Sequence, residues 1–437
     1  MCGICGEIRF RDGAMASGAA IERMSDAMAP RGPDGAGIVM RGRVGFGHRR
    51  LKIIDLSEAA AQPFVDTHLG MTIAFNGCIY NYPELRSELE GKGHRFASNG
   101  DTEVILKAWA EWGTEAPKRF HGMFAFALHE RETGRVTLVR DRFGIKPLYY
   151  SETGDRLRFA STLPALLAAG DVDTTIDRVA LHHYMTWHAV VPAPRTILSG
   201  VRKLPAATIR VIEPDGTSRD SLFWEPSFER SSEDARRPMA EWQEMVLDSL
   251  RTAVRRRMVA DVPVGVLLSG GVDSSLIVGL LAEQGQRGLA TYSIGFEEAN
   301  GEKGDEFVYS DLIAKEYATD HHKIFIPSDE MRTNLPHAIA AMSEPMVSYD
   351  NIGFFLLSRE VSKTIKVVQS GQGADEVFGG YHWYPPMQDS NDPVAAYMAA
   401  FFDRSHDRLA QHLSPEWLAD RDESRAFVEA HFARPGA

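Results

Sequence analysis

The stretch Ser269-Gly270-Gly271-Val272-Asp273-Ser274-Ser275 follows the apolar residues 262–268 and leads into an apolar pattern of helical period over residues 274–283. This order predicts a buried strand, a glycine-rich loop and a helix. Because backbone N–H groups at such a loop attract phosphate, the stretch predicts a polyphosphate site. It is not a Walker loop, since G-x-x-x-x-G-K-[ST] occurs nowhere in the chain. The alternative is a glycine-rich turn capped by Asp273.

The residues on both sides of this loop alternate between helix and strand patterns. Residues 241–259 predict a helix with Val246 facing inward, and the helix at 274–283 carries Leu276 on its apolar face. Further strands are predicted at 291–296 and 365–369. Strands that alternate with helices indicate a parallel sheet whose ligands bind at the carboxyl ends of the strands.

The carboxylate of Asp273 would be repelled by a phosphate unless a cation lies between them. A magnesium ion resolves this conflict, because Mg²⁺ is commonly held by one or two carboxylates together with substrate phosphates. Asp375, in Gly373-Ala374-Asp375-Glu376, is the natural second carboxylate.

The first two hundred residues have a different pattern. Short apolar, β-rich segments bounded by Gly, Asp or Asn predict strands at 44–48, 71–75, 123–128, 136–140 and 157–160, with a helix at 102–112. This mixture predicts an α+β domain with stacked sheets. The polar stretch that begins at Trp224 indicates a linker, which divides the chain into domains at 1–223 and 241–437, joined by a linker at 224–240.

Composition narrows the class of protein. The chain has 437 residues, a net charge of −12 and three cysteines. This length favours two domains, and the acidic charge argues against nucleic-acid binding. No apolar run approaches the ~20 residues that span a bilayer, and the N-terminus lacks the pattern of a signal peptide. Few cysteines suit a reducing compartment, so the sequence predicts a cytoplasmic location.

Cys2 becomes the N-terminal residue once Met1 is removed. An α-amine has a pKa of about 7.7–8.0, low enough to accept the proton of the adjacent thiol, so Cys2 is a candidate nucleophile. Two alternatives remain at this point. Cys2 could be an ordinary second residue, or Cys2 and Cys5 could form a C-x-x-C redox or zinc half-site.

Other candidate site residues lie in loops rich in glycine and charge. Arg50 and Asp101 have the charges that bind the carboxylate and amine of an amino acid. Asn76 and the N–H of Gly77 would form an oxyanion hole. The alternatives are an N-cap role for Asp101 and a plain hairpin turn at Asn76-Gly77.

Together these motifs resemble a known family. MCGICGE, RGPDGAG, GHRRLKIIDLS, FNGCIYNY, DTEVILKAW, GMFAFAL and RDRFGIKPLYY are similar to the glutaminase domain of class II amidotransferases. With SGGVDSS, YSIGF and SGQGADEVFGGY, the chain resembles glutamine-hydrolysing asparagine synthetases. The resemblance implies an αββα Ntn-hydrolase domain that releases ammonia from glutamine. It also implies an ATP pyrophosphatase-type domain, in which a carboxylate is adenylated and ammonia displaces AMP to give an amide.

The resemblance also assigns roles to residues. It makes Cys2 the nucleophile, with Asn76 and Gly77 as the oxyanion hole. The implied glutamine site comprises Arg50, Leu51, Ile54, Asn76, Gly77, Cys78 and Asp101. The implied ATP site comprises Leu267, Ser269, Gly270, Gly271, Asp273, Ser274, Ser275, Ile294, Ser370 and Gly371. Asp273 and Asp375 are the implied Mg²⁺ ligands.

Two positions depart from the family pattern. Cys78 stands where the family usually has a glutamate that contributes to the glutamine site, and Gln372 replaces a glutamate that assists the chemistry. The motifs at 75–82 and 370–386 look most like the branch that amidates N-acetylglutaminylglutamine, whereas aspartate is the acceptor typical of the family. A third interpretation is a non-catalytic regulator that senses nucleotide, and a homodimer is an assembly that the sequence leaves open.

The last expectation concerns the end of the chain. Family members continue well beyond 437 residues, so the synthetase domain is expected to be truncated or incompletely represented. Apolar helical patterns at 393–402 and 426–432 lack obvious partners, which predicts an exposed apolar patch on the second domain. On this view the first domain hydrolyses glutamine, while the second binds ATP without forming the amide.

Overall fold

The computed structural model describes residues 1–11, 13–297, 306–348 and 350–434. These residues form two compact units. The first consists of Met1–Met185, Val190–Ser227 and His406–Arg421, and the second of Thr186–Ala189, Phe228–Ser405 and Asp422–Ala437. The domain boundaries drawn from the sequence stay a prediction.

The strands in the described part of the chain are β1 (Gly3–Arg9), β2 (Gly35–Arg41), β3 (Val44–Arg50), β4 (Phe64–Asp66), β5 (Met71–Ile79), β6 (Gly122–Glu130), β7 (Val136–Arg140), β8 (Tyr149–Thr153), β9 (Arg156–Ala160), β10 (Arg202–Lys203), β11 (Thr208–Ile212), β12 (Ser218–Leu222), β13 (Val264–Leu267), β14 (Ala290–Phe296), β15 (Asp320–Ile326) and β16 (Val367–Gln369). The helices are α1 (Gly18–Ala27), α2 (Tyr82–Gly91), α3 (Asp101–Trp112), α4 (Ala116–Arg119), α5 (Leu163–Ala168), α6 (Arg178–Thr186), α7 (Met239–Arg256), α8 (Val272–Glu283), α9 (Phe307–Glu316), α10 (Ser328–Ala341), α11 (Asp350–Val361), α12 (Ala374–Phe378), α13 (Tyr384–Gln388), α14 (Pro393–Phe401), α15 (His406–Ala410) and α16 (Glu423–Phe432).

The first unit has four layers. Within its described residues, one six-stranded sheet has the order β10-β8-β9-β1-β3-β2 and a second has the order β12-β11-β7-β6-β5-β4. Apolar side chains from both sheets form a shared core, which includes Phe46 and Ala127. Helices α1 and α5 cover the first sheet, and α2 and α3 cover the second. The predicted αββα stacked-sheet fold is confirmed.

Side-chain alternation along β5 determines which residues face the space between the sheets. Phe75 and Ile79 pack in the core under α2 and α3, whereas Ala74 packs in the core between the sheets. Because successive side chains of a strand point to opposite faces, Asn76 and Cys78 share the face of Ala74. The strand runs through Asn76-Gly77, so the alternative of a hairpin turn there is wrong.

The second unit contains a parallel sheet, with the order β15-β14-β13-β16 among its described strands. Helices α7, α8 and α9 pack on one face, where Val266 is buried, and α10 and α11 pack on the other face. The predicted α/β sheet is confirmed. The prediction that Val246 and Leu276 face inward is wrong, since they are 38% and 39% exposed.

The two apolar segments near the end of the chain form α14 and α16, which contact each other. The Tyr397 ring lies 6.2 Å from the Phe432 ring, and Trp187 lies 5.3 Å from Phe427 between ring centroids. The prediction that these segments lack partners is therefore wrong. Exposed apolar side chains of this unit occur on several other elements, for example Val272 on α8 and Leu312 on α9. None of the helices in the described ranges is long and apolar enough to cross a membrane.

Candidate active sites

Cys2 lies just before β1, and its thiol is held at the loop that follows β3. The backbone N–H of Leu51 donates to Cys2 Sγ at 3.3 Å, and Sγ lies 3.7 Å from the carbonyl oxygen of the same residue. Arg31 donates from Nε to the carbonyl of Cys2 at 3.1 Å. Burial raises the pKa of the Cys2 thiol, while the Leu51 N–H, the terminal amine and Lys146 oppose that rise.

The terminal amine lies in the same site. In the full chain it belongs to Met1, and burial lowers its pKa from 8.0 to about 6, with smaller contributions from Arg31 and Lys146. An amine with this pKa is mostly unprotonated at neutral pH. After removal of Met1 the amine belongs to Cys2 itself, one residue further along the chain.

Cys5 has different surroundings from Cys2. It is fully buried in the core beneath α1, its Sγ lies 3.7 Å from the carbonyl of Ile21, and burial raises its pKa to about 12. The two thiols therefore lie in separate environments, which argues against a shared C-x-x-C site. No cluster of three or more His, Cys, Asp or Glu side chains suited to a metal occurs in the described ranges.

Asn76 and Gly77 lie near the end of β5. Asn76 is 1% exposed, and neither Nδ2 nor Oδ1 has a hydrogen-bond partner within the described part of the chain. A buried amide without partners is costly, so the feature indicates a position kept for a ligand. Gly77 is required by packing, because a Cβ there would lie 2.2 Å from the carbonyl oxygen of Met123.

Arg50 and Asp101 hold the charged groups expected at an amino-acid site. The buried guanidinium of Arg50 donates to the backbone carbonyls of Asp55 and of Ser57, the latter at 2.8 Å. These bonds fix the loop that contains the half-buried Leu51 and Ile54.

Asp101 begins α3, and Gly100 is the N-cap, so the N-cap role considered for Asp101 is wrong. Its Oδ2 instead accepts from the N–H of Ile79 at 2.9 Å. Burial raises the pKa of Asp101 to about 7, against backbone N–H groups and Arg50, which lower it.

Two further side chains belong to this region. Cys78 is buried on the face of β5 that Asn76 shares. Lys146 is 3% exposed, and its charge acts on both Cys2 and Cys78. Sequence reasoning missed Lys146. The motif RDRFGIKPLYY contains it, but nothing in the spacing of that motif indicates that the side chain turns toward Cys2.

The second unit has a cavity of about 700 Å³ at the carboxyl ends of its parallel strands. Eight of the sequence-predicted residues line it, namely Leu267, Ser269, Gly271, Asp273, Ser274, Ile294, Ser370 and Gly371. Asp375 and Gln372 line it as well. The predicted ATP residues Gly270 and Ser275 do not line the cavity.

The backbone of the glycine-rich loop is set by close packing. Gly270 has a φ of +91°, and a Cβ there would lie 2.5 Å from Cβ of Tyr309, so only glycine fits. Gly271 is the N-cap of α8, and its N–H donates to Ser269 Oγ at 3.3 Å. The loop therefore leads directly into a helix N-terminus that opens on the cavity, as a phosphate site requires.

Two carboxylates line the cavity from helices that follow different strands. Asp273 lies in the first turn of α8, and Asp375 lies in α12, after β16. A Cβ on Gly371 would lie 2.9 Å from Cβ of Asp273, so the loop that follows β16 meets the first turn of α8. Two carboxylates beside a phosphate loop fit a Mg²⁺ ion whose remaining ligands are phosphate oxygens and water.

Comparison with known proteins finds two family matches and several similar proteins. The glutamine amidotransferase domain family matches residues 1–224, and the asparagine synthase family matches residues 245–435. The chain is 36% identical to asparagine synthetase [glutamine-hydrolyzing] 1 of Bacillus subtilis, over 83% of this chain and 56% of that protein. It is 34% identical to putative asparagine synthetase [glutamine-hydrolyzing] 2 of Methanocaldococcus jannaschii, over 87% of this chain and 76% of that protein.

Among solved structures, glutamine phosphoribosylpyrophosphate amidotransferase from B. subtilis aligns with 94% of this chain at 15% identity and a TM-score of 0.40. The chain spans 56% and 64% of the length of two B. subtilis asparagine synthetases that it matches. With family matches to both units and a relative of which it covers three quarters, the chain belongs to the glutamine-hydrolysing asparagine synthetase family.

Proposed function

We propose that the first unit hydrolyses glutamine to glutamate and ammonia. The observation that carries this proposal is the buried amide of Asn76, which has no partner within the described residues and lies on the inter-sheet face of β5. An orphaned amide in the same unit as a thiol and a terminal amine fits an oxyanion hole, which stabilises the tetrahedral oxygen formed during acyl transfer.

In the proposed reaction, the terminal amine of Cys2 takes the proton of its own thiol. The thiolate attacks the side-chain amide carbon of glutamine, and the resulting oxyanion accepts hydrogen bonds from Asn76 Nδ2 and the N–H of Gly77. When this intermediate collapses, the amine returns the proton and ammonia leaves. Water then hydrolyses the thioester, which releases glutamate and restores the thiol.

Arg50 and Asp101 are proposed to bind the backbone groups of glutamine, within a pocket that includes Leu51, Ile54 and Cys78. The guanidinium suits the α-carboxylate, and the carboxylate of Asp101 suits the α-ammonium. Cys78 supplies no negative charge, so Asp101 is the acidic group assigned to the ammonium.

We propose that the second unit binds ATP in its cavity, with the glycine-rich loop at the phosphates and Asp273 and Asp375 as ligands of Mg²⁺. The ion would neutralise phosphate charge beside these carboxylates. The proposed reaction is adenylation of an acceptor carboxylate, followed by displacement of AMP by ammonia to form an amide. Family membership and the loop geometry support this part of the proposal.

Two acceptors have support. Aspartate is supported by the B. subtilis and M. jannaschii relatives, which are named asparagine synthetases. N-acetylglutaminylglutamine is supported by the motifs around Cys78 and Gln372, and Gln372 lines the cavity. A glutamine side chain cannot take a proton, so with Gln372 either water or another residue does so or the acceptor differs. On the motif resemblance we propose the dipeptide derivative as the acceptor.

The first experiment measures glutamate release by the wild-type chain and by Cys2→Ala. Because the variant lacks the nucleophile, we expect the rate to fall by about a thousandfold or more. Cys5→Ala is the matched control, since Cys5 is a buried thiol with a pKa of about 12 and no place in the proposed reaction. Equal losses in both variants, or full activity in Cys2→Ala, would contradict the proposed role of Cys2.

The second experiment measures AMP formation from ATP, Mg²⁺ and ammonium with either acceptor. AMP with the dipeptide derivative alone supports our proposal, and AMP with aspartate alone contradicts it in favour of asparagine synthesis. Asp273→Asn should weaken Mg²⁺-dependent ATP binding by roughly tenfold or more. Binding of ATP without turnover of either acceptor would contradict the proposed amide formation, and it would fit both the non-catalytic interpretation and the truncated synthetase domain expected from the sequence.

A further inference from the structure

A buried lysine lies in the first site without a role in the reaction proposed above. Lys146 lies in the loop 141–148 between β7 and β8, which is organised by Asp141, a residue that is 1% exposed. This carboxylate accepts from the backbone N–H groups of Phe124, Phe143, Ile145 and Lys146, at distances between 2.9 and 3.1 Å. The loop is therefore fixed, and it holds the lysine stem in place.

The ammonium of Lys146 points to the N-terminus of the chain. Its Nζ lies 2.9 Å from Sδ of Met1, the residue whose removal exposes the amine of Cys2. Removal of Met1 takes away this contact. Lys146 thus extends from the loop that connects β7 of the second sheet to β8 of the first sheet, and it contacts the residue just before Cys2.

The charged and titratable groups around the ammonium come from several elements. Cys2 faces it from the start of β1, Arg31 from the turn before β2, Cys78 from β5 and Asp141 from its own loop. Burial and Arg31 lower the pKa of Lys146 to about 8, so the group remains largely charged at neutral pH. The terminal amine also faces Asp34, and the Cys2 thiol also faces Asp101.

We propose that Lys146 is a positioning residue for glutamine hydrolysis, whose ammonium lies against the terminus of mature Cys2 and keeps its amine free to accept the proton of its thiol. A cation disfavours a second positive charge on the amine and favours negative charge on the sulfur. The first effect raises the fraction of amine that is unprotonated at neutral pH, and the second offsets the cost of placing the thiol proton on that amine. The inference rests on the proposed glutaminase function.

The test compares Lys146→Met, which removes the charge and keeps a long side chain, with Lys146→Arg, which keeps a charge. Lys118→Met is the matched control, because Lys118 is an exposed lysine of the same unit, paired with Glu115. Intact mass first confirms that Met1 is absent. Glutamate release is then measured from pH 6 to 9, and alkylation of Cys2 by iodoacetamide is measured over the same range without glutamine.

We expect Lys146→Met to lower kcat/KM for glutamine by about two- to tenfold at pH 7, the range in which a rise of one unit in the pKa of the amine reduces its unprotonated fraction. The loss should shrink toward pH 9, because Lys146 itself loses its charge above pH 8 and the amine is unprotonated in both proteins. The alkylation profile of Lys146→Met should move to higher pH by a similar amount. Lys146→Arg and Lys118→Met should stay close to wild type.

Three results would overturn the inference. These are a loss that is equal at every pH, an alkylation profile identical to that of wild type, and a Lys146→Arg variant as impaired as Lys146→Met. The two measurements also separate this inference from the proposed function. A wild-type chain that releases no glutamate contradicts the function, whereas the alkylation profile tests Lys146 without glutamine turnover.

Discussion

The two candidate sites differ in how far the protein alone determines them. In the first unit Asn76 is 1% exposed, Asp101 is 5% exposed, and each is placed by strands and helices whose core side chains are fully buried. In the second unit Asp273 and Ser370 are exposed, and Val272 beside them is 83% exposed. The first site is thus buried within packed strands and helices, while the second has a packed loop backbone at Gly270 but leaves the side chains of Asp273 and Ser370 exposed.

The strongest test of this contrast compares the activity and the stability of two variants, Asn76→Ala and Asn81→Ala. The amide of Asn76 has no partner within the described residues, so its removal should leave the thermal stability unchanged. Loss of an oxyanion donor should reduce kcat for glutamine hydrolysis by about 100- to 1000-fold. Glutamate release and thermal unfolding measure the two effects separately.

Asn81 should show the opposite pattern. Its side chain donates to the carbonyl of Arg119 at 3.0 Å and accepts from the N–H of His121 at 2.8 Å. Asn81→Ala should therefore cost about 1–2 kcal/mol of stability and leave kcat near the wild-type value. A large loss of stability in Asn76→Ala would show that its amide is structural, and the assignment to an oxyanion hole would be wrong.

A second comparison concerns one glycine from each of the two sites. Gly77→Ala places Cβ 2.2 Å from the carbonyl oxygen of Met123, and backbone cannot move away cheaply. We expect a loss of about 3 kcal/mol, seen as a lower unfolding temperature or insoluble protein.

Gly271→Ala provides the contrasting result. The nearest atom to its Cβ is Ser269 Oγ at 3.4 Å, and the φ of −67° suits alanine. This variant should stay soluble, with an unfolding temperature close to that of wild type in the same calorimetric measurement. If both variants unfold equally, the second loop is as tightly packed as the first, and the contrast between the sites fails.

The sequence was most informative where pattern and motif agree. The segment at 71–75 predicted a strand, and β5 covers Met71–Ile79, while the helix predicted at 102–112 is α3, Asp101–Trp112. The alternating period of the strand also determines that Asn76 and Cys78 share one face. The glycine-rich motif predicted the loop at Ser269, because the local backbone conformation, rather than contacts with residues distant in sequence, requires its residue types.

The wrong predictions concern features that tertiary packing determines, namely the exposure and the contacts of side chains. A helical period predicts an apolar face, yet it cannot say how much of that face is covered, and Val246 and Leu276 remain partly exposed. Helices α14 and α16 contact each other through the rings of Tyr397 and Phe432, which are far apart in sequence. Lys146 was missed for the same reason, since its direction depends on the Asp141 loop.

The smallest expected effect concerns the pH dependence of Asp101. Its pKa is raised from the ordinary value of 3.8 to about 7 in the folded protein, so the folded state binds the proton more tightly than the unfolded state. Its contribution to stability is full below pH 3.8 and is lost as the pH rises through 7. Asp101→Asn, which does not titrate and keeps an acceptor for the N–H of Ile79, should therefore gain stability relative to wild type over this range.

Bound glutamine should offset the loss of stability that accompanies ionisation of the buried Asp101, because its α-ammonium favours the charged form of this side chain. The KM of the wild-type chain for glutamine should fall by up to about tenfold between pH 6 and pH 8, whereas the KM of Asp101→Asn should be higher and nearly constant. Denaturation of both proteins at pH 5, 6, 7 and 8, with KM measured at the last three, checks both statements. A stability difference that does not change with pH would mean that Asp101 is already charged in the empty site, and the substrate would then have no proton to displace.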